Sequence, residues 1–260
     1  MVMRGSVRAL AVVVATIVVA GAGTAASYGA TAGPGTARVA AEATSVPPRV
    51  LDAVGAGAIA RSLVGKKATL GPVTGRPLVR DGKPELLYLG ADYCPYCAGE
   101  QWAMIVALSR FGRLAGLNES SSSATDLYPG TKTLRFYGAH YTSRFLWFTA
   151  VDLYSRTHAP LQHPTATERA LMRRYDRLGG VPFLDVRNRF VQVGAIFSPQ
   201  VLAGRTWWQI AVALHHPSSA VARSVDGAAN YLTAAICAVT GNRPARACTA
   251  VIRRLERDLR

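Results

Sequence analysis

Apolar and polar residues alternate along this chain in two ways, and each pattern predicts an element. Leu86-Leu87-Tyr88-Leu89-Gly90 is an unbroken apolar run of strand length, the kind buried on both faces. From Pro95 to about Phe111 the period changes to that of a helix, with Trp102, Ile105, Val106 and Leu108 on one face. Two β-rich segments follow, Thr133 to Gly138 and Phe145 to Tyr154. Thr165 to Leu178 opens with a Thr-x-x-Glu capping box, Thr165 with Glu168, and predicts a helix. Val181 to Val186 and Phe190 to Val193, joined by Arg187-Asn188, predict a β-hairpin. Further helices are expected over Val50–Leu63, Thr206–Leu214, Ser218–Val239 and Pro244–Arg260. Strand, helix, strands, helix, hairpin and helices make an α/β order with a mixed sheet flanked by helices and a C-terminal helical hairpin.

The first residues follow neither pattern. Arg4 and Arg8 precede an uncharged stretch from Ala9 to Ala26, the arrangement of an export segment. Residues 1–26 are therefore expected to be a signal peptide or an N-terminal transmembrane anchor. Small residues at Ala20-Gly21-Ala22 suit cleavage, while the 18-residue length approaches the ~20 residues that span a bilayer. Either outcome puts the rest of the chain outside the cytoplasm, membrane-anchored or secreted. Residues 27–48, rich in Ala, Gly, Thr and Pro without a period, are expected to be a flexible linker. Residues 49–260 then form the folded domain.

Composition sharpens this picture. Of 260 residues, 30 are Lys or Arg and 15 Asp or Glu, a net charge of +15. Such an excess raises nucleic acid as a partner, yet no basic run is interleaved with aromatics as a reader of nucleic acid requires. Export argues against that partner too, so the charge is assigned to solubility or to an anionic envelope. No phosphate-binding loop, dinucleotide fingerprint or nucleophile-elbow serine is present, and no cofactor is expected.

Candidate chemistry lies in the cysteines. Cys94-Pro95-Tyr96-Cys97 sets two thiols three residues apart where a buried strand turns into a helix. There the first thiol meets unpaired backbone N–H groups and the positive end of the helix dipole, which favour a thiolate. The second, one turn further in, is placed to attack a mixed disulfide on the first. A zinc site uses the same spacing but needs two more ligands; no histidine stands near any cysteine, and no metal is expected.

Strand, C-x-x-C and helix, followed by an X-Pro before a hairpin, resemble the thioredoxin superfamily. More narrowly, Gly90 to Ala103, Leu108 to Gly112, Arg135 to Ala139 and Tyr175 to Val186 are similar to the family catalogued as domain of unknown function 929. The resemblance implies a thioredoxin-like fold and thiol–disulfide oxidoreduction, with Cys94 as nucleophile and Cys97 as resolving thiol. It also implies that Val181-Pro182 forms a substrate-binding loop, with Pro182 cis and Val181 offering its backbone to an extended segment. Eighty-five residues separate Cys97 from Pro182, so insertions are expected between the sheet halves. Such proteins carry a buried acid before the pair; Leu86 to Leu89 has none, and Asp92 and Glu100, the nearest carboxylates, are expected at exposed positions. Cys237 and Cys248 are expected to pair as a structural disulfide stapling the helical hairpin, with a redox relay to Cys97 as the alternative. Partners would be thiols or disulfides of exported proteins and a membrane redox partner. An oxidase or isomerase, a reductase fed from the membrane, and a non-catalytic binding module remain open.

Overall fold

The computed structural model describes residues 34–65 and 70–260. The expected export segment, 1–26, and the first part of the expected linker lie outside the described residues. Among the described residues no helix is long and apolar enough to cross a membrane.

Residues 34–48 overturn the linker expectation. Pro34–Thr44 forms helix α1, and Pro48–Val54 forms α2. α1 presents Val39 and Ala43, four residues apart, to the core, and both are buried. Its many alanines are the best helix formers, and tertiary packing supplies what the weak sequence pattern did not show. Arg38 lies 4.1 Å over the ring of Trp208, and Glu42 sits 3.3 Å from His215, fastening α1 to the helices that follow later in the chain.

The strands are β1 (Gly71–Pro72), β2 (Val79–Arg80) and β3 (Lys83–Gly90), after which comes helix α3 (Pro95–Ser109). Four strands follow, β4 (Gly112–Ala115), β5 (Asn118–Ser121), β6 (Lys132–Arg135) and β7 (His140–Ser143), then β8 (Trp147–Asp152). Helix α4 (Ala166–Tyr175), the hairpin β9 (Phe183–Val186) and β10 (Phe190–Val193), and helices α5 (Trp207–Ala213), α6 (Ala220–Thr240) and α7 (Ala250–Asp258) complete the chain. The expected last helix loses its start, because Pro244 to Cys248 turn before Thr249 caps α7.

β3 runs through the middle of a mixed sheet. On one side it pairs parallel with β8, Leu87 opposite Thr149; on the other it pairs antiparallel with β9, Tyr88 opposite Leu184. β10 and β1 continue the sheet beyond β9, and β2 pairs with the start of β3. Alternation sorts the side chains of β3 between two layers. Leu86 and Tyr88 enter the larger core with α3 and α6, while Leu87 and Leu89 join Phe183, Val191 and Met172 beneath α4.

The insertion before the second half of the sheet is two nested antiparallel pairs, β4 with β7 and β5 with β6. They wrap α3: Trp102 Nε1 donates to Lys132 O at 2.8 Å and Tyr141 Oη to Leu108 O at 3.0 Å. On its other flank α3 packs on α6, where 17 of 21 residues are buried. The absence of a side chain at Gly227 admits the preceding chain, since a Cβ there would lie 2.7 Å from Ala56 O.

Candidate active site

The turn Ala91–Tyr93, between β3 and α3, is held by backbone bonds from both neighbouring loops. Asp92 N donates to Tyr154 O and Ser123 N to Tyr93 O, each at 2.9 Å. Cys94 therefore arrives at a fixed point and caps α3: its Sγ accepts the N–H of Cys97 at 3.2 Å. Pro95 takes the first helical position, where a missing N–H costs nothing. Both thiols are free; Cys94 keeps 6 % of its surface exposed and Cys97 none.

The loop after α4 faces this pair. Val181–Pro182 is a cis peptide, and the Cys94 thiol donates to Val181 O at 3.7 Å. Val181 packs with Tyr93 and Tyr96 around the two cysteines. The resemblance expected this meeting of Cys94, Cys97, Val181 and Pro182, and the four residues do converge. Around them stand aromatic rings. Tyr93 stacks on His158 at 4.1 Å between centroids, and Tyr96 meets Tyr128 edge-on at 5.9 Å. Of the large apolar residues left exposed, Leu127, Tyr154 and Leu178 sit on the three segments that border Cys94.

The electrostatics of the two thiols diverge. The Cys97 thiol, helped by backbone N–H groups of Cys97 and Tyr96, stabilises a Cys94 thiolate and holds its pKa below the usual 9.0, against the effect of burial. Burial, and then the Cys94 sulfur itself, push Cys97 well above that value. Such a pair presents one ready nucleophile and keeps the other protonated.

Two expectations about carboxylates are corrected. Asp92 and Glu100 are not exposed: Asp92 is buried against Arg135, 2.9 Å away, and Glu100 is fully enclosed near Gln192. Distant packing is the reason, because Asp92 lies in the turn covered by both loops and Glu100 points from the enclosed helix α3 into the interior. Burial raises Glu100 to about 8. Sequence reasoning also missed Asp152 and Asp185, both fully buried and both raised by burial to about 7. Each stands within a run of apolar residues, and a polar residue interrupting such a run was the available signal.

Cys237 and Cys248 lie on the far side, bonded to each other with Cα atoms 5.8 Å apart. The bridge joins the end of α6 to the turn before α7, as a staple of the helical hairpin would. Among the described residues no three His, Cys, Asp or Glu side chains gather as a metal site.

Fold and site together define an α/β protein that carries an open thiol pair at a helix N-terminus, under a cis-proline loop. Residues 71–174 match the model of the family described as Domain of unknown function (DUF929), the family that the motifs around Cys94 resemble. The matched stretch holds β1 through most of α4, including both thiols; Pro182 and the disulfide lie beyond it. No curated protein and no solved structure matches the chain.

Proposed function

We propose that this protein is an extracytoplasmic thiol–disulfide oxidoreductase of thioredoxin-like type, acting on exported proteins as an oxidase or isomerase. The observation that carries the reading is the asymmetry of the pair. Cys94 caps the helix with its sulfur held by N–H groups, while Cys97 is enclosed and protonated behind it. In the oxidising direction the Cys94–Cys97 disulfide receives a substrate thiolate at Cys94, and Cys97 leaves as a thiolate that takes up a proton. A second substrate thiolate then displaces Cys94, so the substrate gains one disulfide and the protein gains two electrons and becomes a dithiol. The reverse sequence, with Cys97 resolving the mixed disulfide, reduces a substrate.

The exposed Leu127, Tyr154 and Leu178, on segments that lead to the Cys94 turn or to Val181, support a polypeptide substrate with apolar side chains near its cysteine. The backbone of Val181 supports an extended one, laid along the loop as an added strand. Export rests on the pattern of residues 1–26, which also supplies a membrane anchor if it is retained. In that setting a membrane redox partner would reset the pair.

Mixed-disulfide trapping tests the reading. Cys97→Ser is expected to accumulate covalent adducts with exported proteins through Cys94, and Cys94→Ser is not. Identical behaviour of the two variants defeats the proposal. A redox titration of the pair then sets the direction: a potential near about −120 mV marks an oxidase and one near about −270 mV a reductase.

A further inference from the structure

Strand β8 borders the mixed sheet. It pairs in parallel with β3 and, among the described residues, with no other strand. In a parallel ladder the N–H and C=O of one residue point the same way, and successive residues alternate between the two sides. Leu153 N donates to Gly90 O at 2.8 Å, which sets the phase of that alternation. Trp147, Thr149 and Val151 therefore turn their peptide groups toward β3, while Phe148, Ala150 and Asp152 turn theirs outward.

The chain covers the last of these outward groups itself. Gln162 N donates to Asp152 O at 3.1 Å, and Gln162 Oε1 accepts the Asp152 N–H at 2.8 Å. His163 and Pro164 then lead away toward α4. Among the described residues nothing bonds the outward N–H or C=O of Phe148 and Ala150. A bare edge of this kind is a template for a further strand.

A cleft of about 270 Å³ runs along the bare stretch, walled by Leu114, Phe136 and Tyr141 and ending at Gln162. Its two sides differ. Phe148 and Ala150 lie opposite Leu86 and Tyr88 and turn to the side of the larger core. There the rings of Phe136 and Tyr141 meet Phe148 edge-on, at 4.9 and 5.9 Å between centroids. Trp147 and Thr149 turn to the other side, where Arg80 and Lys83 stand 5.7 and 6.0 Å from the centre of the Trp147 ring. The facing wall, residues 112–117 and 136–146, carries Arg113, His140 and Arg144 and no carboxylate. On the near side Glu85 sits 3.4 Å from Arg80 and Asp81 sits 3.9 Å from Lys83. Basic groups thus outnumber acidic ones around an edge that is aromatic on one side and cationic on the other.

We propose that the free edge of β8 is a second polypeptide-binding surface, which takes up an extended segment of alternating apolar and acidic residues as an added strand. The segment's backbone exchanges hydrogen bonds with the N–H and C=O of Phe148 and Ala150. Its apolar side chains enter among Phe136, Tyr141 and Phe148, and its carboxylates, one residue out of phase, meet the Arg80 side. Charge selects this occupant over a second copy of the chain, because two basic edges laid together set like charges face to face. The surface is separate from the Val181 loop and does not depend on the chemistry of the thiols.

Fluorescence polarisation of a labelled peptide, Ser-Val-Glu-Val-Glu-Val-Ser with blocked ends, titrated with the full chain, tests this. We expect saturable binding that weakens with salt. It should be lost when Lys replaces Glu in the peptide, and also when the same residues are reordered so that Val and Glu no longer alternate. Methylating the peptide nitrogens of one alternate set should abolish binding, and methylating those of the other set should leave it. Ala150→Pro removes one outward N–H and spares the ladder with β3, the setting in which a strand tolerates proline; it should weaken binding about tenfold. The two methylated peptides test the native chain, so the outcome does not hang on the folding of that variant. Equal binding of the alternating and reordered peptides overturns the proposal, because charge alone would then suffice. Equal effects of the two methylated sets overturn it too, as does the absence of saturable binding. Protection of Cys94 from iodoacetamide by the peptide would place it at the Val181 loop instead and overturn the proposal. Self-association of the chain that Ala150→Pro abolishes, with no peptide bound, would assign the edge to a second copy and overturn it likewise.

Discussion

The Cys94 thiol and the Val181 carbonyl oxygen stand 3.7 Å apart, although 87 positions separate the two residues along the chain. The contact joins the N-terminus of α3 to the loop between α4 and β9. In the proposed exchange, a substrate cysteine would approach Cys94 beside that loop.

Cys94 should alkylate faster than Cys97 at neutral pH, because its thiolate is favoured and the other is suppressed. The pH profile of iodoacetamide labelling, followed by mass spectrometry, measures this. Asp126 acts against the Cys94 thiolate by its charge, so Asp126→Asn should move the Cys94 profile to lower pH. A shift in the other direction would contradict the arrangement.

Glu100 predicts a dependence of stability on pH. Its folded pKa, about 8, lies above its ordinary 4.5. A carboxyl raised in this way contributes stability that is fully present below its unfolded value and is lost as pH climbs through the folded one. Unfolding by urea should therefore become easier between about pH 5 and pH 8. Glu100→Gln does not ionise, and its amide can donate to the unpartnered Gln192 oxygen. The variant should show a shallower decline and be more stable than the native chain at pH 8 by at least about 1 kcal/mol.

Removing the Cys237–Cys248 bridge should cost stability and leave chemistry intact. The closed loop spans 11 residues, for which chain entropy gives about 3 kcal/mol. Cys237→Ala with Cys248→Ala is expected to unfold at lower urea while Cys94 and Cys97, treated with 5,5′-dithiobis(2-nitrobenzoate), release a first and then a second nitrothiobenzoate at native rates. A slowed second release would instead favour the relay of electrons that the sequence left open.

Val39→Ala tests whether α1 belongs to the folded body. Val39 is buried, and trimming it should lower stability by about 1–3 kcal/mol in urea unfolding. A flexible linker would show no change.

Local patterns carried the parts of this fold that are local in cause. The strand into Cys94, the capping box at Thr165 with Glu168, and the turn at Arg187-Asn188 each announce themselves within a few residues, and each is present. What escaped depends on contacts distant in sequence. α1 looked aperiodic because only Val39 and Ala43 of its face are deeply buried, and the helices it packs on, α3 and α5, both lie far along the chain. Of the nested strands, β6 falls within the β-rich segment expected from Thr133, whereas β4, β5 and β7 are short and polar on one side, so nothing in their composition separates them from loops. The thiols and their facing proline could be named from motif and resemblance. Asp152 was marked only by interrupting an apolar run, and a carboxyl at the end of a strand is as readily solvent-facing until its pairing with Gly90 is known.

Helix α3 offers a last consequence. It is enclosed along nearly its whole length, with 13 of its 15 residues buried between sheet, insertion and α6. A helix gripped on every side is a rigid post, and a sulfur mounted on its tip has almost no freedom to seek its target. In the proposed exchange, adaptation to differently shaped clients would fall to the surrounding segments that carry Leu127, Tyr154 and Leu178. Side chains there that neither carry charge nor bond to the Cys94 turn could change with little effect on the thiols, whereas Asp126 on the same segment would alter both.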